Sequence, residues 1–361
     1  MQPSANTTIP FWQGLIRQYA AYLPVSASTP IISLSEGNTP LIKLDNFVRQ
    51  IGGDFDLYLK YEGLNPTASF KDRGMTMAIS KALEKKAGVV ICASTGNTSA
   101  SAAAYAARAG LKCVVLLPHG NIAMGKLAQA LMYGAQSIAI KGNFDDALRI
   151  VRELGESGKV EVVNSINPAR IEGQKTAAFE ICDQLGRSPD FHFLPVGNAG
   201  NITAYWKGYQ QYRDAGRVEH TPRMCGYQAA GAAPIVDGHP YDAPETIATA
   251  IRIGNPASWK SANAAIEGSK GWIGKVTDED IMEAYKLVAS TEGVFVEPAS
   301  AAPLAGLIRC VRDRCIPEGS VVTATMTGHG LKDPDRAIQC AARQPELVEP
   351  TLASVASLIG L

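Results

Sequence analysis

Lys71 stands in Pro66-Thr67-Ala68-Ser69-Phe70-Lys71-Asp72-Arg73-Gly74, where a loop gives way to a helical pattern just after an alternating apolar stretch. A lysine amine at such a junction can condense with an aldehyde cofactor and afterwards act as acid or base. Open α/β sheets collect their ligands at the carboxyl ends of strands, so the place suits that chemistry. Taken alone, Lys71 reads better as a solvated lysine in the first turn of a helix, beside Asp72 and Arg73, and the catalytic reading needs further residues. Gly197-Asn198-Ala199-Gly200-Asn201 follows the apolar run Leu194-Pro195-Val196. Two glycines between a strand and a helix let backbone N–H groups converge on an anion, and the helix N-terminus adds positive potential. A plain tight turn with Asn201 as helix cap is the alternative, and the spacing is not the G-x-G-x-x-G of dinucleotide sites. Ser94-Thr95-Gly96-Asn97-Thr98-Ser99 gathers hydroxyls and an amide at another such junction. That suits a substrate carboxylate, with ordinary N-capping by Asn97 or Thr98 as its alternative. Gly120-Asn121-Ile122-Ala123-Met124-Gly125-Lys126 approaches a nucleotide phosphate loop, but Leu127 stands where a magnesium-binding serine or threonine is needed, and the match is rejected.

Strands must precede these segments and helices must follow them. The alternation of Leu57, Leu59 and Tyr61 predicts a strand, 63–70 a loop and 72–86 a helix. Strands are expected at 89–93, 112–117, 137–140, 160–163, 191–195 and 321–326. Helices are expected over 11–22, 98–109, 124–133, 145–154, 170–185, 201–214, 278–290 and 300–312. Strand and helix in alternation imply parallel strands with crossover helices, hence an α/β fold.

At 361 residues the chain suits two domains. Its 34 basic and 34 acidic residues cancel, which argues against nucleic acid or an anionic membrane as partner. No apolar run reaches the roughly 18 residues of a membrane helix, and Met1–Gly14 lacks a secretory pattern. The seven scattered cysteines offer no metal spacing, and reduced thiols fit a cytoplasmic location.

In this order the three segments resemble the fold-type-II pyridoxal-phosphate enzymes. That group includes threonine synthase, the threonine and serine dehydratases, cysteine synthase and the tryptophan synthase β chain. Within it the resemblance is to the threonine synthases of the shorter type. It rests on Ser35-Glu36-Gly37-Asn38-Thr39-Pro40-Leu41, Ser69-Phe70-Lys71-Asp72-Arg73-Gly74-Met75 and Gly142-Asn143-Phe144-Asp145. It continues through Asn164-Ser165-Ile166-Asn167-Pro168, Glu297-Pro298-Ala299-Ser300-Ala301-Ala302 and Thr327-Gly328-His329-Gly330-Leu331-Lys332-Asp333.

The resemblance implies two domains, each a mostly parallel twisted sheet flanked by helices, with a mobile small domain (46–157) inserted into a large one (1–45 and 158–361). It implies pyridoxal 5'-phosphate held as a Schiff base on Lys71, with Asn97 at the ring hydroxyl, Gly197, Asn198, Ala199, Gly200 and Asn201 around the phosphate, and Thr327 at the pyridine nitrogen. The implied reaction is the last step of threonine biosynthesis, O-phospho-L-homoserine and water giving L-threonine and phosphate. Ser94, Thr95, Asn97 and Thr98 would hold the substrate carboxylate. Ser165, Arg170 and Asn198 would hold its phosphate, with Thr98 in reach of it as well. No metal is expected, and the shorter enzymes are homodimers. Glu297, His329 and Lys332 lie in the matching strings without an assigned role. A threonine or serine dehydratase, which needs no second phosphate site, and a non-catalytic ligand-binding protein on the same fold remain the alternatives.

Overall fold

The computed structural model describes residues 11–119, 124–142, 144–341 and 345–361. Gly120–Ala123, the first part of the rejected phosphate loop, and Asn143 of one matching string lie outside the described residues.

Among the described residues the strands are β1 (Leu41–Lys43), β2 (Asp56–Tyr61), β3 (Val89–Ala93), β4 (Lys112–Pro118) and β5 (Gln136–Ile140). Then come β6 (Glu161–Val162), β7 (Phe191–Pro195), β8 (Arg223–Ala229), β9 (Trp272–Val276) and β10 (Val321–Met326). They form a six-stranded sheet in the order β1-β2-β10-β7-β8-β9 and a four-stranded sheet in the order β5-β4-β3-β6. Every pairing is parallel except β1 with β2. The α/β expectation is therefore met: two mostly parallel sheets covered by helices.

The expected 46–157 range does not coincide with the unit built on the four-stranded sheet. β2 lies inside that range, yet it pairs along its whole length with β10 and buries Leu57 and Leu59 in the larger sheet's core. β6 lies beyond the range but pairs with β3. Hydrophobic alternation marks a strand without naming its neighbour, so the sheet to which each belongs was not readable from the pattern.

β7 reads as a fully buried parallel strand should, with all five residues inside. Its one polar member, His192, is satisfied by Tyr209 at 2.7 Å and Thr325 of β10 at 2.9 Å. Burial alone holds the His192 imidazole far below its usual range, at about 3, so the ring is neutral. None of the described helices is long and apolar enough to cross a membrane.

Candidate active site

Five strand ends converge on one region. From the six-stranded sheet, β2 leads to the loop before Lys71, β7 to Gly197–Asn201 and β10 to Thr327. From the four-stranded sheet, β3 leads to Ser94–Asn97 and β6 to Ser165 and Arg170. The carboxyl ends of both sheets thus face the same place, as ligand sites of open α/β sheets do.

Lys71 opens the helix Lys71–Glu84. The loop before it is stitched to the end of β10: Phe70 N–H donates to the Thr327 carbonyl at 2.9 Å, and His329 N–H donates to Ala68 O at 3.1 Å. Although part of its side chain is exposed, the Lys71 amine is enclosed. Burial, then the Arg170 guanidinium, push it down from the ordinary lysine range to about 7, and Glu297 partly opposes them. The amine is poised between its charged and neutral forms near neutrality, as a nucleophile or base requires.

Next to Lys71, Asp72 is fully buried and accepts from Thr67 N–H, Thr67 Oγ1 and Ser101 Oγ, each at 2.6 Å. Arg73 is buried as well, bound to Glu62 (2.6 Å) and Glu180 (2.6 Å), while Lys60 pairs with Glu180 at 2.8 Å. Burial disfavours the charge on Glu180, but Arg73 and Lys60 outweigh it and hold the carboxyl at about 2. Arg73, Lys60, Glu62 and Glu180 close one buried cluster that ties the Lys71 helix to β2 and to the helix Thr176–Leu185.

In the glycine loop the left-handed residue is Ala199 (φ 62°). Gly197 is crowded, since a Cβ there would lie 3.0 Å from Ile251 Cα. Asn198 donates through Nδ2 to Ser165 Oγ at 3.2 Å and accepts from Ala257 N–H at 3.1 Å. Asn201 is not a cap. Both polar atoms of its side chain are buried and lack a hydrogen-bond partner.

Asn97 is the first residue of the helix Asn97–Ala109 rather than its cap. It is buried, and its Nδ2 donates to both carboxylate oxygens of Glu297 at 3.1 and 3.2 Å. A carboxylate only accepts, so this contact fixes the amide orientation and leaves Asn97 Oδ1 pointing elsewhere, without a partner. Ser94 Oγ accepts from the N–H groups of Gly96 (3.1 Å) and Ser99 (3.3 Å). Thr95 and Thr98 stand half-buried on either side of Asn97 in the chain, with no hydrogen bond from either hydroxyl to another described residue. Thr327 Oγ1 meets Ser300 Oγ at 3.0 Å.

Arg170 is fully buried in the helix Pro168–Gln174, not on the surface. Its Nη1 donates to Val163 O at 3.2 Å, while Nε and Nη2 have no partner. Burial lowers even this guanidinium to about 10.

Buried polar atoms normally find partners, and leaving one unpaired costs about 1–3 kcal/mol. Here Ser69 Oγ, Asn97 Oδ1, Asn201 Oδ1 and Nδ2, and Arg170 Nε and Nη2 all lack one around a single lysine. Such a donor and acceptor set fits a polar, anionic aromatic cofactor together with a second anion.

Of the three residues to which sequence reasoning gave no role, Glu297 is the one that contacts the site. It precedes the helix Pro298–Arg312, and its proximity to Asn97 arises only where the two sheets meet. His329 packs instead against Tyr61 and Phe295. Lys332 hydrogen-bonds Gln129 of the helix Met124–Met132.

The profile of the family described as pyridoxal-phosphate dependent enzyme matches residues 32–328. The chain is 57% identical to a threonine synthase of Synechocystis sp., over 99% of this chain and 95% of that one. It is 60% identical to a threonine synthase of Bacillus sp. (strain ULM1), over 91% and 92% of the two chains. Among solved structures, threonine deaminase isoform 2 from Solanum lycopersicum superposes with a TM-score of 0.72 at 21% identity, covering 85% of this chain and 84% of that one. That likeness speaks for the shared fold. The chain belongs to the pyridoxal-phosphate-dependent enzymes and, among them, to the threonine synthase family.

Proposed function

We propose that this site converts O-phospho-L-homoserine and water to L-threonine and phosphate, with Lys71 as the residue that carries pyridoxal 5'-phosphate and handles protons. The observation that carries this reading is Arg170. A buried guanidinium with Nε and Nη2 both unpartnered offers a two-pronged donor edge beside the lysine. That edge matches a phosphate. A dehydratase would have no use for it.

When bound, the cofactor supplies the aldehyde that captures the substrate amine and a ring that absorbs negative charge from neighbouring carbons. Asn97, oriented by Glu297, presents Oδ1 to the ring hydroxyl. Asn201 and the N–H groups of Gly197 to Gly200 hold the cofactor phosphate at the start of the helix Gly200–Asp214. Thr327, with Ser300 behind it, meets the ring nitrogen with a hydroxyl, which does not keep that nitrogen protonated as a carboxylate would. Ser94, Thr95 and Thr98, with the backbone N–H of Asn97 at the start of its helix, hold the substrate carboxylate. Arg170, Ser165 and Asn198 hold the phosphate that leaves, and Thr98 reaches it as well. Lys71 Nζ removes the α-proton and returns protons to the substrate carbons, which its position near neutrality allows.

Asn97–Glu297 and Lys332–Gln129 both join elements of the four-stranded unit to the six-stranded one. These contacts support closure of the smaller unit over the substrate, excluding water until the addition step. The working form is a homodimer in the cytoplasm. Cysteines that are all free support the cytoplasmic setting.

The test is phosphate release from O-phosphohomoserine, with threonine identified as co-product. Wild type should give both in equal amounts and Lys71→Ala neither. Arg170→Ala should lower kcat/KM by roughly 100-fold or more, the worth of two charge-assisted hydrogen bonds. An Arg170→Ala enzyme with wild-type turnover of O-phosphohomoserine would overturn the assignment.

A further inference from the structure

The helix Pro298–Arg312, which starts beside Glu297, ends in a left-handed stop remote from the site. Arg314 adopts φ 54°, Arg314 N–H donates to Val311 O at 3.1 Å, and Cys315 N–H donates to Cys310 O at 2.8 Å. These are the two crossed bonds of a Schellman motif, whose geometry brings the side chain three places before the cap against the one two places after it. Both of those positions are cysteines here. Cys315 is exposed, its thiol donating to Asp313 O at 3.7 Å, and Cys310 is buried. Cys310 also contacts the Tyr227 hydroxyl at 3.1 Å. A disulfide needs Cα atoms about 4.4–6.8 Å apart with converging Cβ vectors, and a backbone bond between the same two residues supplies that proximity.

We propose that Cys310 and Cys315 form an oxidisable dithiol site that closes to an intrachain disulfide when a low-molecular-weight disulfide is supplied. The exposed Cys315 thiolate attacks the small disulfide, forming one S–S bond and breaking another. The departing thiolate takes up the proton that Cys315 lost. Cys310 then attacks the Cys315 sulfur, expels the second small thiol with its own proton, and closes the ring. Two protein thiols are oxidised and one small disulfide is reduced to two thiols. Burial pushes the Cys310 thiol up to about 11, which makes closure the slower of the two steps.

The experiment exposes the cofactor-loaded protein to oxidised glutathione, then denatures it, alkylates it and cleaves it after glutamate. The peptide between Glu297 and Glu318 holds both cysteines and no other. It should appear two hydrogens lighter and unlabelled, with two of the seven thiols lost to alkylation. Cys315→Ser should restore labelling at Cys310, while Cys340→Ser should leave closure intact. A stable glutathione adduct on Cys315 with Cys310 still alkylated would overturn the proposal. So would a bond from Cys310 to its other thiol neighbour, Cys225.

Discussion

Lys71 owes its reactivity to three surroundings of opposite sign, and the signs can be tested separately. Burial and Arg170 favour the neutral amine, while Glu297 favours the ammonium. Capture of added pyridoxal phosphate by the apoenzyme requires the neutral form. Its rate should rise with pH through about 7 and level off above it. Glu297→Gln removes the group that raises the lysine, so the midpoint should move to lower pH; Arg170→Gln removes one that lowers it, so the midpoint should move up. Stopped-flow absorbance across pH 5 to 9 reads both, and equal midpoints in all three proteins would refute this electrostatic account. At this scale the sequence was most informative where a residue acts within its own loop: Lys71 and the glycine loop stand where strand-to-helix junctions predicted. It was silent about Glu297, because a carboxylate that acts 200 residues away from its partner Asn97 leaves no local pattern.

Gly74 and Gly173 show what elements require of single residues. A Cβ on Gly173 would sit 1.9 Å from the Arg73 carbonyl oxygen, and one on Gly74 would lie 3.0 Å from Arg170 O. The helices Lys71–Glu84 and Pro168–Gln174 therefore cross in backbone contact, and that crossing sets Arg170 beside Lys71. Gly173→Ala should cost at least the roughly 1–3 kcal/mol of overpacking, seen as a lower urea midpoint, and should slow cofactor capture by displacing Arg73 and Lys71 together. Gly88→Ala is the control. Nothing lies within 4 Å of its Cβ position, so its midpoint should stay at the wild-type value. Element types were legible where apolar periodicity is unbroken, as in β3, β7 and β10. β8 escaped notice because it carries Gly226, packed against Val196, and a buried Gln228 whose Oε1 accepts from the N–H groups of Ile235 and Val236. The helical pattern over 170–185 in fact divides at Lys175, where one helix ends and the next begins.

At the scale of the whole molecule, the buried charges decide how the fold responds to acid. Glu180 is held below its unfolded value, so its ion pairs stabilise the fold above the ordinary carboxylate range and lose that contribution as pH falls toward about 2. His192 acts earlier. Its folded value, about 3, lies below the ordinary 6.5, so the unfolded chain binds a proton that the folded chain refuses. The stabilising contribution is complete above pH 6.5 and erodes as pH falls from there toward 3, by about 1.4 kcal/mol per unit. Between pH 7 and 5 this single ring should cost the fold about 2 kcal/mol. His192→Gln retains a polar side chain that can meet Tyr209 or Thr325 but cannot titrate. The variant should be less stable than wild type at pH 7, through imperfect packing, and should lose less stability on going to pH 5. Urea midpoints of both proteins at the two pH values measure that difference. Parallel losses would mean that the acid sensitivity arises elsewhere, and that the neutral histidine between β7 and β10 does not link protonation to the integrity of the sheet that carries Thr327 and the glycine loop.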